Sequence, residues 1–144
     1  MPERRISADL REQVSVRAGG CCEYCRSRAR YATQSFSVEH ILPRVQGGAT
    51  TLDNLALACQ GCNGYKLAHT TAVDPRTGTE SPLFHPRKMR WGDHFAWGAD
   101  GLHIIGLTTS GRATVRLLRL NRPGLLALRE MLIAAGRHPP GRGE

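Results

Sequence analysis

Hydrophobic positions along the chain fall into short groups, and the period of each group predicts one kind of element. In SADLREQVSVRA, from Ser7 to Ala18, the residues Leu10, Val14 and Ala18 recur every four positions behind a serine suited to capping, and Gly19-Gly20 follows. This pattern predicts a short amphipathic helix. In TQSFSVEHI, from Thr33 to Ile41, Phe36, Val38 and His40 share one face, which predicts a strand stopped by Pro43. The Gly-rich loop QGGATTLDN leads into LDNLALAC, which reads as a brief helical or irregular stretch, and CQGC then opens a helix running through Asn63 to His69.

Past DPRTGTESP the pattern changes. Pro75, Pro82 and Pro86 punctuate an extended stretch through LFHPRKMRWGDHFAW that reads as a meandering wrap, and GLHIIGLT predicts a strand. SGRATVRLLRL and NRPGLLALREMLIAAG predict two helices. The second has Asn121 as N-cap, Pro123 in its first turn, Gly136 as its stop, and Leu125, Leu128, Met131 and Leu132 on one core-facing side. The final HPPGRGE is expected to fray. No repeat of domain size and no low-complexity tract is present. These elements give an α+β chain in two parts: residues 1–72, and an extension over 73–144 with a strand and two helices that packs on or beside the first part.

Length and charge narrow the class. The 144 residues suffice for one domain with a modest core and are too few for two large ones. Twenty Lys and Arg against twelve Asp and Glu give a formal charge of +8, and the sequence pI near 9.9 favours a polyanionic partner, nucleic acid first. No run approaches the ~18 apolar residues of a membrane span. MPERRISADLREQ lacks the apolar core of a signal peptide, so a cytoplasmic protein without a membrane partner is expected. Thiols stay reduced in that compartment, so the five cysteines read as metal ligands or redox groups, not disulfides.

Four of those cysteines form two Cys-x-x-Cys pairs, Cys22 with Cys25 and Cys59 with Cys62. A two-residue spacer lets both thiolates of a pair face one ion, and two pairs complete the tetrahedral sulfur shell of structural zinc. A redox dithiol is the main competing reading. Cys21 to Cys25 has a three-residue spacer, so Cys21 reads as a spare thiol packed behind the knuckle. Four thiolates leave no open coordination position, so this zinc would tie distant segments together and do no chemistry. A zinc deaminase is excluded, because that chemistry needs a His-x-Glu and an open site, and here the order is Glu39-His40 with nothing between.

Between and just after the knuckles lie Glu39, His40, Asn54, Asn63 and Lys66, in the order EH, GG, DNL, CQGCNGYK. The pattern acidic-His-Ile-x-Pro, Gly-Gly, Asn-Leu, Cys-x-x-Cys-Asn-x-x-Lys, over about residues 22 to 69, resembles the HNH endonuclease family in its zinc-knuckle form. The resemblance implies a small zinc-stabilised ββα-metal domain in which a hairpin and a helix grip one divalent cation against a scissile phosphate. More loosely, the tail PLFHPR to LNRP resembles the sequence that follows such domains in many bacterial proteins.

Phosphodiester hydrolysis needs an activated water and neutralised phosphoryl oxygens, which a base and a hard cation supply together. The resemblance makes His40 the base, with an ordinary pKa of about 6.5 that leaves it largely neutral at cellular pH. Glu39, on the other side of the strand, and the Asn63 amide oxygen would hold the catalytic cation, Mg2+ or Mn2+. Asn54 would pin the loop that carries His40, and Lys66 and Arg44 are candidates for phosphate contacts. The chain departs from the family pattern in two places: Asn63 replaces the final histidine, and Glu39 replaces the commoner aspartate. Both changes bear on metal preference.

His69, His85 and His94 receive no catalytic role. The aromatics interleaved with basic residues in HPRKMRWGDHFAW would suit base stacking, but packing onto a small zinc domain is the favoured reading. The expected function is a metal-dependent DNA endonuclease, a monomer or weak homodimer, leaving 3′-hydroxyl and 5′-phosphate ends as the family does. The rival is a zinc-stabilised nucleic-acid-binding module without catalysis.

Overall fold

The computed structural model describes residues 6–141. Helix α1 spans Ala8–Arg17, and the Ser7 hydroxyl accepts the Leu10 N–H at 3.2 Å, as an N-cap should. Its single buried residue, Val14, packs against Leu55 and Leu57. Those leucines belong to strand β2, Leu55–Ala58, which pairs antiparallel with β1, Ser37–His40, placing Glu39 opposite Ala56 and His40 opposite Leu55. Helix α2, Gln60–Lys66, follows at once. The chain thus runs strand, strand, helix around the cysteines.

Two expectations change here. LALA is a strand, preceded by one turn of 3-10 helix at Leu52–Asn54. All four of its residues are buried, so the alternation that marks a half-exposed strand is missing from its sequence. Strand β1 is also shorter than the Thr33–Ile41 pattern predicts, and α2 ends at Leu67, whose φ of 49° leaves the helical region before His69.

The extension is more regular than a wrap. Strands β3, Thr71–Val73, and β4, Glu80–Pro82, form a hairpin closed by the DPRTGT turn. A short helix, α3, at Trp91–His94 leads into β5, Phe95–Trp97, which pairs with β6, Ile104–Gly106. Helix α4, Thr109–Leu117, is capped by the Thr108 hydroxyl, and α5 spans Pro123–Ala134. Asn121 does not cap α5. Its amide instead accepts the Ile104 N–H at 2.7 Å and donates to the Ile104 carbonyl at 2.9 Å, extending the edge of β6, and Arg122 takes the capping position. Met131 is 70% exposed, while Arg129 is buried among the Leu102 and Leu120 carbonyls and the face of Trp97. His138, in the stretch expected to fray, bonds the Gly101 carbonyl at 2.9 Å and packs edge-on to Trp97; residues 142–144 lie outside the described region.

One core serves both parts of the chain. Tyr24, Ala58 and the four knuckle cysteines pack with Phe84, Phe95, Ile104, Leu118, Leu120 and Leu125. Phe84 sits edge-on to both Tyr24 and Phe95, and Trp91 packs on Phe95 and Trp97, so the aromatics of the extension do turn inward. No helix among the described residues is long and apolar enough to cross a membrane.

The β3–β4 turn is anchored by Asp74, which has no exposed surface. Arg112 of α4 donates to its two carboxylate oxygens at 2.9 Å each, and the Arg76 N–H and Thr77 hydroxyl add two further bonds. Arg112 first, then these donors, hold the Asp74 carboxyl well below the usual carboxylate range. A depressed carboxylate stabilises the fold above its unfolded pKa of about 3.9, and the contribution is lost as pH falls below that value. Asp74→Asn is therefore expected to lower the melting temperature at pH 7, with the gap from the parent shrinking as pH drops through and below 4. A gap that stays constant down to pH 2.5 would refute this account.

Candidate active site and metal centre

The hairpin opens where β1 ends, and His40 stands at that opening. Its ring is half-buried, and Nε2 lies 2.8 Å from the Thr50 hydroxyl. The Ile41 N–H donates to the Asn54 carbonyl at 2.8 Å. The Asn54 side chain then closes the following loop: Oδ1 accepts the Leu42 N–H at 2.9 Å, and Nδ2 donates to the carbonyls of Leu42 at 3.0 Å and Ala49 at 2.9 Å. One planar amide thus pins both ends of residues 42–49, next to the histidine. The Gly-Gly pair makes this closure possible. Gly47 has a φ of 92°, and a Cβ on Gly48 would overlap the Leu42 carbonyl and crowd Asn54 Nδ2 at 2.9 Å.

Glu39 points to the other side, as strand alternation requires, and is 7% exposed. The Tyr24 hydroxyl donates to its Oε1, and Lys66 Nζ lies 3.3 Å from its Oε2. Burial raises the Glu39 carboxyl above its ordinary range, with Lys66 and the Tyr24 bond working against that shift. Lys66 is itself only 1% exposed and donates to the Ile41 carbonyl at 3.2 Å. Its ammonium faces inward onto a carboxylate, not outward to a phosphate. Removing either partner would leave a buried charge at a cost of about 3–5 kcal/mol. Asn63, half-buried on the first turn of α2, precedes Lys66 by three residues and so lies on the same side of the helix. Arg44 is exposed, in the turn Arg44–Gln46 beyond the hairpin.

The four knuckle sulfurs all lie within 4.8 Å of one another, and Cys25 Sγ is 3.6 Å from Cys59 Sγ. A tetrahedral zinc with Zn–S bonds of about 2.3 Å requires S···S separations of roughly 3.8 Å, so the cluster fits that ion. Cys21 lies outside it, its thiol 3.8 Å from the Gly19 carbonyl. Hydrogen bonds from Cys22, Cys25 and Cys62 hold the Cys59 thiol well below its ordinary range, while burial pushes Cys22 up. Cys25 is also lowered and Cys62 also raised, so the buried thiols share their protons, as groups packed this closely do, and a metal would bind them as thiolates.

Sequence patterning missed three residues at these sites: Tyr24, Thr50 and Arg122. Tyr24 lies inside the first knuckle and Thr50 just past the Gly-Gly pair, both in stretches without periodicity. Arg122 reads as the start of a helix. In the fold its guanidinium crosses Gly61, which has no side chain in the way, and donates to Cys59 Sγ at 3.3 Å and to Cys62 Sγ at 3.7 and 3.8 Å. Burial works against the Arg122 charge, but the Cys62, Cys25 and Cys59 sulfurs outweigh it and raise the pKa.

These contacts predict about one tightly held zinc per chain, with Arg122 opposing its loss. Arg122→Gln is expected to release zinc to a colorimetric chelator roughly tenfold faster than the parent. Equal release rates would remove Arg122 from the metal centre, and purified parent protein without zinc would overturn the zinc assignment.

No curated protein and no solved structure gives a significant match to the chain. The HNH endonuclease family model matches residues 22–68, from the first knuckle cysteine to just beyond α2. That stretch holds both cysteine pairs, the β1–β2 hairpin, α2, and every residue of the His40 and Glu39 clusters. Over this segment, with its strand-strand-helix order and four-cysteine centre, the chain is similar to the HNH endonuclease family.

Proposed function

We propose that this chain hydrolyses DNA phosphodiester bonds in a metal-dependent reaction, with His40 as the general base. The match of residues 22–68 to the HNH endonuclease family supports a nuclease-type function on nucleic acid. One observation carries the finer reading. His40 is presented, half-exposed, at the mouth of a hairpin whose following loop is tied down by three hydrogen bonds from Asn54, with Thr50 at its Nε2. An imidazole so held keeps its orientation while water and substrate exchange in front of it. It would take a proton from water at a ring nitrogen and pass it on toward solvent.

Glu39 and Asn63 would hold the divalent cation. The donor set suits Mg2+ or Mn2+: a carboxylate and an amide oxygen, both hard, with lone pairs on Glu39 beyond those used by Tyr24 and Lys66. Such a cation, when bound, withdraws charge from the phosphoryl oxygens. Lys66 competes with it for Glu39, and the Tyr24 hydroxyl keeps the carboxylate oriented in either case. Arg44, outside the hairpin, would contribute a phosphate contact without sequence preference. A formal charge of +8 adds salt-sensitive attraction to the DNA backbone.

The internal pairing of Glu39 with Lys66 favours a second reading, a zinc-stabilised nucleic-acid-binding module without catalysis. Supercoiled plasmid separates the two. The parent protein should nick it with Mg2+ or Mn2+ and not with EDTA, and His40→Ala should be slower by about 100-fold or more, as expected for loss of a general base. Absence of nicking with every divalent cation supports the binding module; a His40→Ala protein that nicks like the parent removes His40 from the chemistry.

A further inference from the structure

Beside the hairpin lies a cavity of about 190 Å³ that residues 1–72 and the extension build together. Ile41, Leu42, Lys66 and Thr70 line it from one, and Leu83, Phe84, His85 and Lys88 from the other. It begins one residue past His40, and Leu42 Cα can be no more than about 7.6 Å from His40 Cα. A cavity this size holds roughly six waters, enough for one base or sugar-phosphate and not for a longer ligand.

The wall from the extension is firmly set. The Leu83 N–H donates to the Thr70 carbonyl at 2.9 Å, and the Phe84 N–H to the Thr114 hydroxyl at 2.9 Å. The chain then turns, with the Lys88 and Met89 N–H groups both donating to the His85 carbonyl. Within this turn the Arg87 N–H donates to His85 Nδ1 at 3.2 Å. That bond makes Nδ1 an acceptor, so the neutral ring carries its proton on Nε2 and offers a donor there. The Arg87 guanidinium is taken up by Glu23, away from the cavity. His85 and Lys88 are thus the polar groups the turn contributes to the cavity.

No carboxylate lines it. The lining Lys66 is paired with the buried Glu39, 3.3 Å from its Oε2. Burial, then Lys88, Arg87 and Lys66, lower the His85 pKa, which reflects an electropositive wall. Ile41, Leu83 and Phe84, all at most 5% exposed, supply an apolar floor. A cationic edge over an apolar floor suits an anion attached to a flat or weakly polar body.

We propose that this cavity binds one nucleotide of the nucleic-acid strand, its phosphate on Lys88 and His85 Nε2–H and its base or sugar against Ile41, Leu83 and Phe84. The nucleotide flanks the phosphate presented to His40, a placement that rests on the nuclease reading. The extension, which lies outside the matched family segment, thereby becomes part of the substrate site.

The test measures binding apart from cleavage. Thymidine 5′-monophosphate and, separately, inorganic phosphate are titrated into the zinc-loaded full chain while the His85 ring resonances are followed by NMR, with His85→Gln used to assign them. The nucleotide should shift those resonances and bind more tightly than phosphate, and Lys88→Ala, at an exposed position, should weaken it about five- to tenfold through loss of one charge-assisted contact. His85 resonances that do not move, or Lys88→Ala binding like the parent, would overturn the cavity assignment. Phosphate binding as tightly as nucleotide would overturn the role of the apolar floor. If the nucleotide binds through His85 and Lys88 but plasmid is never nicked, the cavity stands and the nuclease reading falls.

Discussion

Four sulfur atoms within 4.8 Å of one another are the constraint on which the other distances in this chain depend. Cys22 and Cys25 lie in a loop with little regular structure, and Cys59 and Cys62 bracket the first turn of α2. Drawing the pairs together sets α2 against the hairpin and brings Tyr24, from inside the first knuckle, to the Glu39 carboxylate. Without a tie of this kind, a four-residue strand pair and a seven-residue helix are too short to hold one another in water. A metal bound there would act on the candidate site indirectly, by fixing the elements that carry His40 and Glu39.

The hairpin then sends adjacent residues to opposite sides. A strand reverses its side chains at each step, so Glu39 enters the interior and His40 remains at the mouth. The buried carboxylate is acceptable only because a hydroxyl and an ammonium meet it there. Lys66 belongs to this arrangement as much as Glu39 does. The same lysine bonds the Ile41 carbonyl, so one side chain links α2, the inner face of β1 and the residue after His40. Position of the imidazole and burial of the acid are consequences of one register.

Much of this was legible in the sequence, and the rest was hidden for identifiable reasons. Cysteine spacing identified the knuckles because two pairs with two-residue spacers have few other uses. The cap at Ser7 and the stop at Gly136, which has a φ of 70°, are local features and were readable locally. Strand β2 was hidden because LALA is buried on both faces and so shows no alternation. The inward turn of Lys66 was hidden because a lysine at the end of a short helix ordinarily faces water, and only the tertiary position of Glu39 reverses that preference. Asn121 shows the same limit: its sequence neighbours favour a cap, but β6 offers its amide two bonds from a distant part of the chain.

Charge explains why the extension cannot be regarded as an appendage. With zinc bound, four thiolates carry a net charge of −2, buried in a core with little water to stabilise it. Within the matched segment, 22–68, Lys66 is already committed to Glu39. The compensating cations come from the extension: Arg122 donates to the Cys59 and Cys62 sulfurs, and Arg129 reaches the Cys25 carbonyl at 3.5 Å. Phe84, Phe95 and Leu125 close the apolar shell around the same cluster. Two arginines and a shared core thus join residues 83–129 to the metal centre. The family segment and the extension fold as partners, which is why the wall beside the hairpin can be built from both.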